Sequence, residues 1–274
     1  MGQAFFDGIT VDYEDAGTGE PLVLIHGHPF DRSMWQPQIE HFSRAGWRVI
    51  APDLRGYGES SAAAGKTTLE TFARDIARLL DHLEIDRFVL GGLSMGGQIV
   101  MEFYRLFPGR VRGLLLADTF AAAETEDGRM SRYAMAERLL REGMSGYAQE
   151  VLPKMVAPYN IKALPAVAQH VMDMMTRTSP EGAAAALRGR AERPDYVEML
   201  ARIAVPTLVV VGADDEFTPV REARAISERV PDATLEVIQG AAHMPNLERA
   251  AEFDAALQRF LNSLPAEADK EGKR

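Results

Sequence analysis

Ser94 sits inside "GGLSMGG" (91–97), between two pairs of glycines and directly after the apolar run Phe88-Val89-Leu90. Glycine costs backbone entropy, so such a cluster marks a conformation that side chains would obstruct. Gly92-Leu93-Ser94-Met95-Gly96 fits G-x-S-x-G between a predicted strand and a predicted helix, the setting of a nucleophile elbow. A serine hydroxyl is a weak nucleophile until a base takes its proton, and the base needs an acid to orient it. Both are present downstream: "VVVGADDEFTP" carries Asp214 and Asp215, and "VIQGAAHMPNLE" carries His243. The carboxyl ends of parallel strands gather on one sheet edge, where sites form. Ser94, Asp215 and His243 can therefore converge, and the order Ser, Asp, His accompanies this elbow. Asp118, closing "GLLLAD" one strand earlier, is the competing acid. The backbone N–H of Met95, at a helix N-terminus directly after the serine, suits a developing oxyanion.

Short apolar runs supply the strands that must position these residues. "AFF" and "ITVDYED" flank Asp7-Gly8, a hairpin dipeptide. "PLVLIH", "WRVIA", "RFVLGG", "GLLLAD", "PTLVVV" and "ATLEVI" follow, most of them continuously apolar, as strands buried on both faces are. Helical periodicity lies between them: a helix from Thr67 with Glu70 as a capping box, and another from Gly96 to about Pro108. The alternation predicts an α/β fold: a mostly parallel eight-stranded sheet with helices on both faces and an antiparallel opening hairpin. It breaks after Asp118. Residues 121–203 read as a cap of three or four helices holding eight of the thirteen methionines. Those methionines either fill helix packing or line an apolar pocket under a lid. The expected organisation is a core of 1–120 and 204–264, a cap of 121–203, and a polar tail of 265–274.

Composition narrows the function classes. A net charge of −10 would repel a phosphate backbone, so nucleic acid is not an expected partner. Cysteine is absent, which removes thiolate nucleophiles and sulfur-ligated metals. No apolar run approaches membrane-spanning length, and the N-terminus lacks signal-peptide features, so a cytoplasmic address is expected. His26 and His28 form a possible metal pair with no further ligand at metallohydrolase spacing; no metal is expected, and His26 is read as a structural residue of its loop. Asp53 and Arg55 read as loop braces, and His41, His82 and His170 as surface or packing residues. G-x-x-x-x-G-K-[ST] is absent, so no phosphate-bearing cofactor is implied.

Five ordered blocks, "LVLIHGHPFD", "VIAPDLRGYGES", "GLSMGG", "PTLVVVGADDEFTP" and "GAAHMPNLE", resemble those of the α/β-hydrolase superfamily over essentially the whole chain. Within it the chain is similar to 3-oxoadipate enol-lactonases, small carboxylesterases and cofactor-free haloperoxidase/perhydrolase relatives. The resemblance implies a serine hydrolase of short to medium carboxylic esters, or a lactonase or perhydrolase on the same site, with no cofactor. It makes Asp215, fourth in G-x-x-D, the triad acid, and the backbone N–H of His28 the second oxyanion donor. The implied partner is a small ester or lactone, and the implied assembly a monomer or homodimer. Some proteins on this fold only bind small ligands, so a non-catalytic binder is the reading from another class.

Overall fold

The computed structural model describes residues 1–61 and 65–265. Eight strands run in the chain order β1 (Gly2–Phe6), β2 (Ile9–Ala16), β3 (Glu20–Ile25), β4 (Trp47–Pro52), β5 (Phe88–Leu93), β6 (Val111–Ala117), β7 (Thr207–Gly212) and β8 (Ala233–Ile238). They form one sheet in the order β1-β2-β4-β3-β5-β6-β7-β8. β1 and β2 form the expected hairpin, and β2 also runs antiparallel to β4. Every other pairing is parallel.

Outside the β6–β7 connection the helices are α1 (Gln36–Arg44), α2 (Leu69–His82) and α3 (Met95–Leu106), then α10 (Val220–Ser227), α11 (Pro245–Glu248) and α12 (Ala250–Ser263). Between β6 and β7 lie α4 (Glu126–Glu142), α5 (Ser145–Met155), α6 (Pro158–Ala163), α7 (Pro165–Arg177), α8 (Pro180–Ala191) and α9 (Val197–Leu200). That is six helices, three of them of 12 residues or more, where three or four were expected. Prolines at 158, 165 and 180 each start a new helix, which divides the segment more finely than its apolar pattern suggests.

Successive strand residues point to opposite faces, and the burial follows that rule. Val23 and Ile25 join one core with Ile76, Leu80, Ile99 and Ile226 of α2, α3 and α10. Leu22 and Leu24 join the other with Ile39, Phe42, Phe253 and Leu257 of α1 and α12. Most methionines of the insertion take up packing, while Met130 is exposed. Met155, Met174 and Met175 are buried in the second core, and Met144 joins a small cluster between α4 and α8.

The cap of α2 is displaced by one residue. Thr68, not Thr67, takes the extended N-cap conformation and accepts from Thr71 N. Glu70 then falls one place short of a capping-box position and accepts from Arg74 Nε instead. The tail expected at 265–274 lies outside the described residues apart from Pro265.

One residue, Ser94, joins β5 to α3, and the turn leaves no room for side chains beside it. A Cβ on Gly92 would stand 2.4 Å from the Gly96 carbonyl, and one on Gly96 would stand 2.2 Å from Ile25 O. α3 therefore rests directly on the ends of β5 and β3. Gly96→Ala is expected to cost at least about 2 kcal/mol in urea unfolding, because backbone on both sides must move. Gly109→Ala, where a Cβ meets nothing within 4 Å, should stay within about 0.5 kcal/mol. Equal stability of the two variants would contradict this packing.

Candidate active site

The elbow fixes Ser94 at φ 59°, ψ −116°, a left-handed conformation uncommon for a non-glycine residue. Two bonds hold it there: Ser94 N donates to Ala117 O (2.9 Å), and Thr119 Oγ1 donates to Ser94 O (2.8 Å). The first bond of α3 runs from Gln98 N to Ser94 O, so the N–H groups of Met95, Gly96 and Gly97 precede any intrahelical partner. Opposite the serine lies the loop after β3. A Cβ on Gly27 would stand 3.2 Å from Ser94 Cβ and 2.9 Å from Leu93 O.

His26 and His28 divide their tasks within that loop. His26 Nδ1 is 2.8 Å from Gly27 O, and its Nε2 accepts from Leu54 N at 2.9 Å. Both ring nitrogens are thus occupied within the fold, which fixes the neutral tautomer. Burial lowers its pKa. The His28 ring is buried, not turned to solvent. Its Nδ1 lies 2.7 Å from Tyr57 Oη, while its Nε2 is buried with no hydrogen-bond partner among the described residues. Burial, then the charges of Arg190 and Arg132, hold His28 well below the ordinary histidine pKa.

Past β7, Asp215 is bound on every side. Its Oδ1 accepts from Phe217 N (2.8 Å) and Thr218 N (3.1 Å), and its Oδ2 accepts from Thr218 Oγ1. His243 Nδ1 stands 2.8 Å from the same Oδ2, with both side chains buried. Burial would raise the Asp215 pKa, but the His243 charge and hydrogen bond, with those from Thr218, outweigh it and hold it down at about 2. Asp214 faces away and accepts from Tyr159 Oη. Thr218 was not singled out from sequence; Asp-x-x-Thr in "DEFT" is the readable sign of such a local turn.

Asp118, at φ 43°, is fully buried just past β6 and accepts from Gly212 N at 2.9 Å. One ligand atom each of Asp118, Asp215 and His243 lies within 4.8 Å of the others. Such a trio can offer three atoms to a cation, yet the donors around Asp215 already fill both its oxygens. Like charges this close disfavour one another. Burial, then the Asp215 charge, push the Asp118 carboxyl well above the usual carboxylate range. Asp118 Oδ2 is buried with no hydrogen-bond partner among the described residues.

The remaining candidates brace loops. Asp53 accepts from Arg32 and from Glu59 N, and Arg55 forks onto Asp75 at 2.6 Å on both arms. His170 contacts Ser33, and His41 lies 4.0 Å from Asp254. The helical insertion is tied to each loop around the serine. Thr178 Oγ1 bonds Pro29 O, Asn160 Nδ2 bonds Gly240 O, and Arg190 Nε bonds Gln98 Oε1. Ser94 is left 8% exposed.

The buried histidines give stability a pH dependence. A histidine held neutral in the fold charges only on unfolding, so its contribution is complete above the ordinary value of 6.5 and is lost as pH falls below it. Each such group costs up to about 1.4 kcal/mol per pH unit in that window. His28→Gln should lose stability less steeply than the wild type between pH 6.5 and 5.5 in urea unfolding. An unchanged slope would contradict a neutral, buried His28.

Comparison with known proteins gives the same architecture. The family description "alpha/beta hydrolase fold" matches residues 20–250. A 3-oxoadipate enol-lactonase 2 from Acinetobacter baylyi is 30% identical over 253 residues, covering 91% of this chain and 92% of that one. A thermophilic esterase from Thermogutta terrifontis, solved with malate bound, superposes with a TM-score of 0.91 at 38% identity, over 95% of this chain and 96% of that one. The enol-lactonase from Burkholderia xenovorans superposes with a TM-score of 0.89 at 28% identity, over 96% of this chain and 100% of its own. With an elbow serine, a mostly parallel eight-stranded sheet and these relatives, the chain belongs to the α/β-hydrolase family.

Proposed function

We propose that the protein hydrolyses carboxylic esters of short to medium acyl length through Ser94, His243 and Asp215. The observation that carries this reading is the 2.8 Å contact between His243 Nδ1 and the buried Asp215 carboxylate, in a chain whose Ser94 stands on a strained elbow. With Nδ1–H donated to Asp215, the other ring nitrogen, Nε2, is the basic one. Ser94 Oγ attacks the carbonyl carbon as Nε2 takes the hydroxyl proton. The carbonyl electron pair moves onto oxygen, where the N–H groups of Met95 and His28 receive the charge. Collapse expels the alcohol, which leaves with the proton from His243. Water then gives a proton to His243 and attacks the acyl-enzyme, releasing the acid and restoring Ser94.

The enol-lactonase relatives favour a second reading on the same residues, in which the ester is cyclic. The chemistry differs only in that the expelled alkoxide stays attached to the acyl group. Small substrates suit a serine that is only 8% exposed.

Ser94→Ala should lose at least about a thousandfold in kcat on a soluble nitrophenyl ester while keeping its far-ultraviolet circular dichroism. Residual turnover above a tenth would remove Ser94 from the mechanism. Asp215→Asn should lose at least about a hundredfold, because it leaves His243 Nδ1 without a charged acceptor. Asp118→Asn and Asp214→Asn should each lose less than about tenfold. The asparagine amide at 118 can replace the acid O–H, and its oxygen can still accept from Gly212 N. A crippled Asp118→Asn beside an active Asp215→Asn would reassign the acid to the end of β6.

A further inference from the structure

His243 stands between the end of β8 at Ile238 and the start of α11 at Pro245, on a loop that contains no helix or strand. Loops move unless something ties them, and a displacement of about 1 Å at a reacting group can cost about a hundredfold in rate. One residue ties both neighbours of His243. Glu248 Oε1 accepts from Ala242 N at 2.8 Å, and Glu248 N donates to Met244 O at 2.8 Å. The other carboxylate oxygen reaches across to the helical insertion. Oε2 accepts from Ala157 N at 2.8 Å and from Asn160 Nδ2 at 2.7 Å. Ala157 is the N-cap of α6, and Asn160 lies in its first turn.

Asn160 adds a second tie. Its Nδ2 also donates to Gly240 O at 2.9 Å, so one amide group holds the base loop directly and, through Glu248, beside the histidine. Both side chains are buried. Burial pushes the Glu248 carboxyl up, while Asn160 and the backbone donors oppose it. A buried carboxylate is costly, and a well-packed apolar contact of similar size would stabilise the fold as well. What the carboxylate supplies is direction, since charge-assisted hydrogen bonds fix their partners in place. The residue before Asn160 acts on the other loop. Tyr159 Oη donates to Asp214, and Asp214 N donates to Ala241 O at 2.9 Å. The two loops whose side chains meet at His243 Nδ1 and Asp215 Oδ2 are thus bonded by successive residues of one helical turn.

We propose that Asn160 and Glu248 are positioning residues for His243, so that docking of the insertion at α6 and placement of the base are one event. This rests on His243 being the base for Ser94, as argued above. Both residues act through the loop and not on the ester. An insertion lifted at α6 leaves Gly240 O without its donor and Glu248 Oε2 without either of its two, and the carboxylate that holds Ala242 N loses its own anchor.

The test has two arms. In the first, the wild type, Asn160→Ala and Asn160→Ser are compared on 4-nitrophenyl acetate. Asn160→Ala should lose about tenfold in kcat, a part of what a 1 Å misplacement can cost. KM should stay within about twofold, because the same base serves formation and hydrolysis of the acyl-enzyme and both steps slow together. Asn160→Ser keeps a hydroxyl that can donate to one of the two acceptors, and should recover part of the loss. An asparagine that only braced the insertion would act on KM and leave kcat unchanged, which overturns the proposal. In the second arm, amide hydrogen exchange is followed in peptides spanning 240–244. It should quicken at least about tenfold in Asn160→Ala while β8 keeps its wild-type rates. Exchange needs no turnover, and labelling of the wild type with a sulfonyl fluoride reports Ser94 separately. No label on Ser94 is a failure of the serine mechanism, and with it of any base to position. A labelled wild type beside an Asn160→Ala protein of unchanged kcat and unchanged exchange is the failure of this tie alone. If Asn160→Ala does not fold, Glu248→Gln, whose amide turns one acceptor into a donor, gives the same two readings.

Discussion

The close contact of α3 with the ends of β3 and β5 governs the rest of the molecule. Gly92 and Gly96 have no Cβ, so the helix starts one residue after the strand stops, and that residue is Ser94. Its left-handed φ is held by backbone on both sides and by the Thr119 hydroxyl. The same contact places the first free N–H groups of α3 beside the serine. It also brings the loop after β3 within packing distance of the serine Cβ. A looser junction would lose the serine's orientation and the anion-binding helix end together.

Around that junction the fold accepts several costly burials. Asp118 and Asp215 are buried close together, and their surroundings push the first carboxyl up and hold the second down. His26 is locked as a neutral ring between Gly27 O and Leu54 N. His28 Nε2 is buried with no hydrogen-bond partner among the described residues. The insertion adds to this by bonding α3, the loop after β3, and the loops that carry the acid and the histidine.

Much of this was legible in the residues. The eight strands stand within about two residues of their apolar runs, because strands buried on both faces leave unbroken signals. The meeting of Asp215 with His243 followed from the sheet-edge rule, which needs only strand order. Other features depend on packing that spacing does not encode. Thr67 and Thr68 are equal candidates for a cap until the helix axis is set. Asp118 and Asp215 both follow strands, and only the surrounding donors show which one stays charged. Arg190 is one of several arginines in "ALRGRAERP", and nothing local says that it turns inward to Gln98 of α3. The insertion's helix count was missed because prolines divide it where hydrophobic periodicity runs on.

Covalent catalysis at Ser94 is tested most directly by the mass of the protein during turnover. Rapid acid quench with a slowly deacylated ester should give an intact mass raised by one acyl group, mapped by peptide fragmentation to Ser94. The adduct should appear with the first equivalent of released alcohol and decay as the acid forms. Steady ester turnover with no adduct, or with the acyl group on another residue, would contradict it.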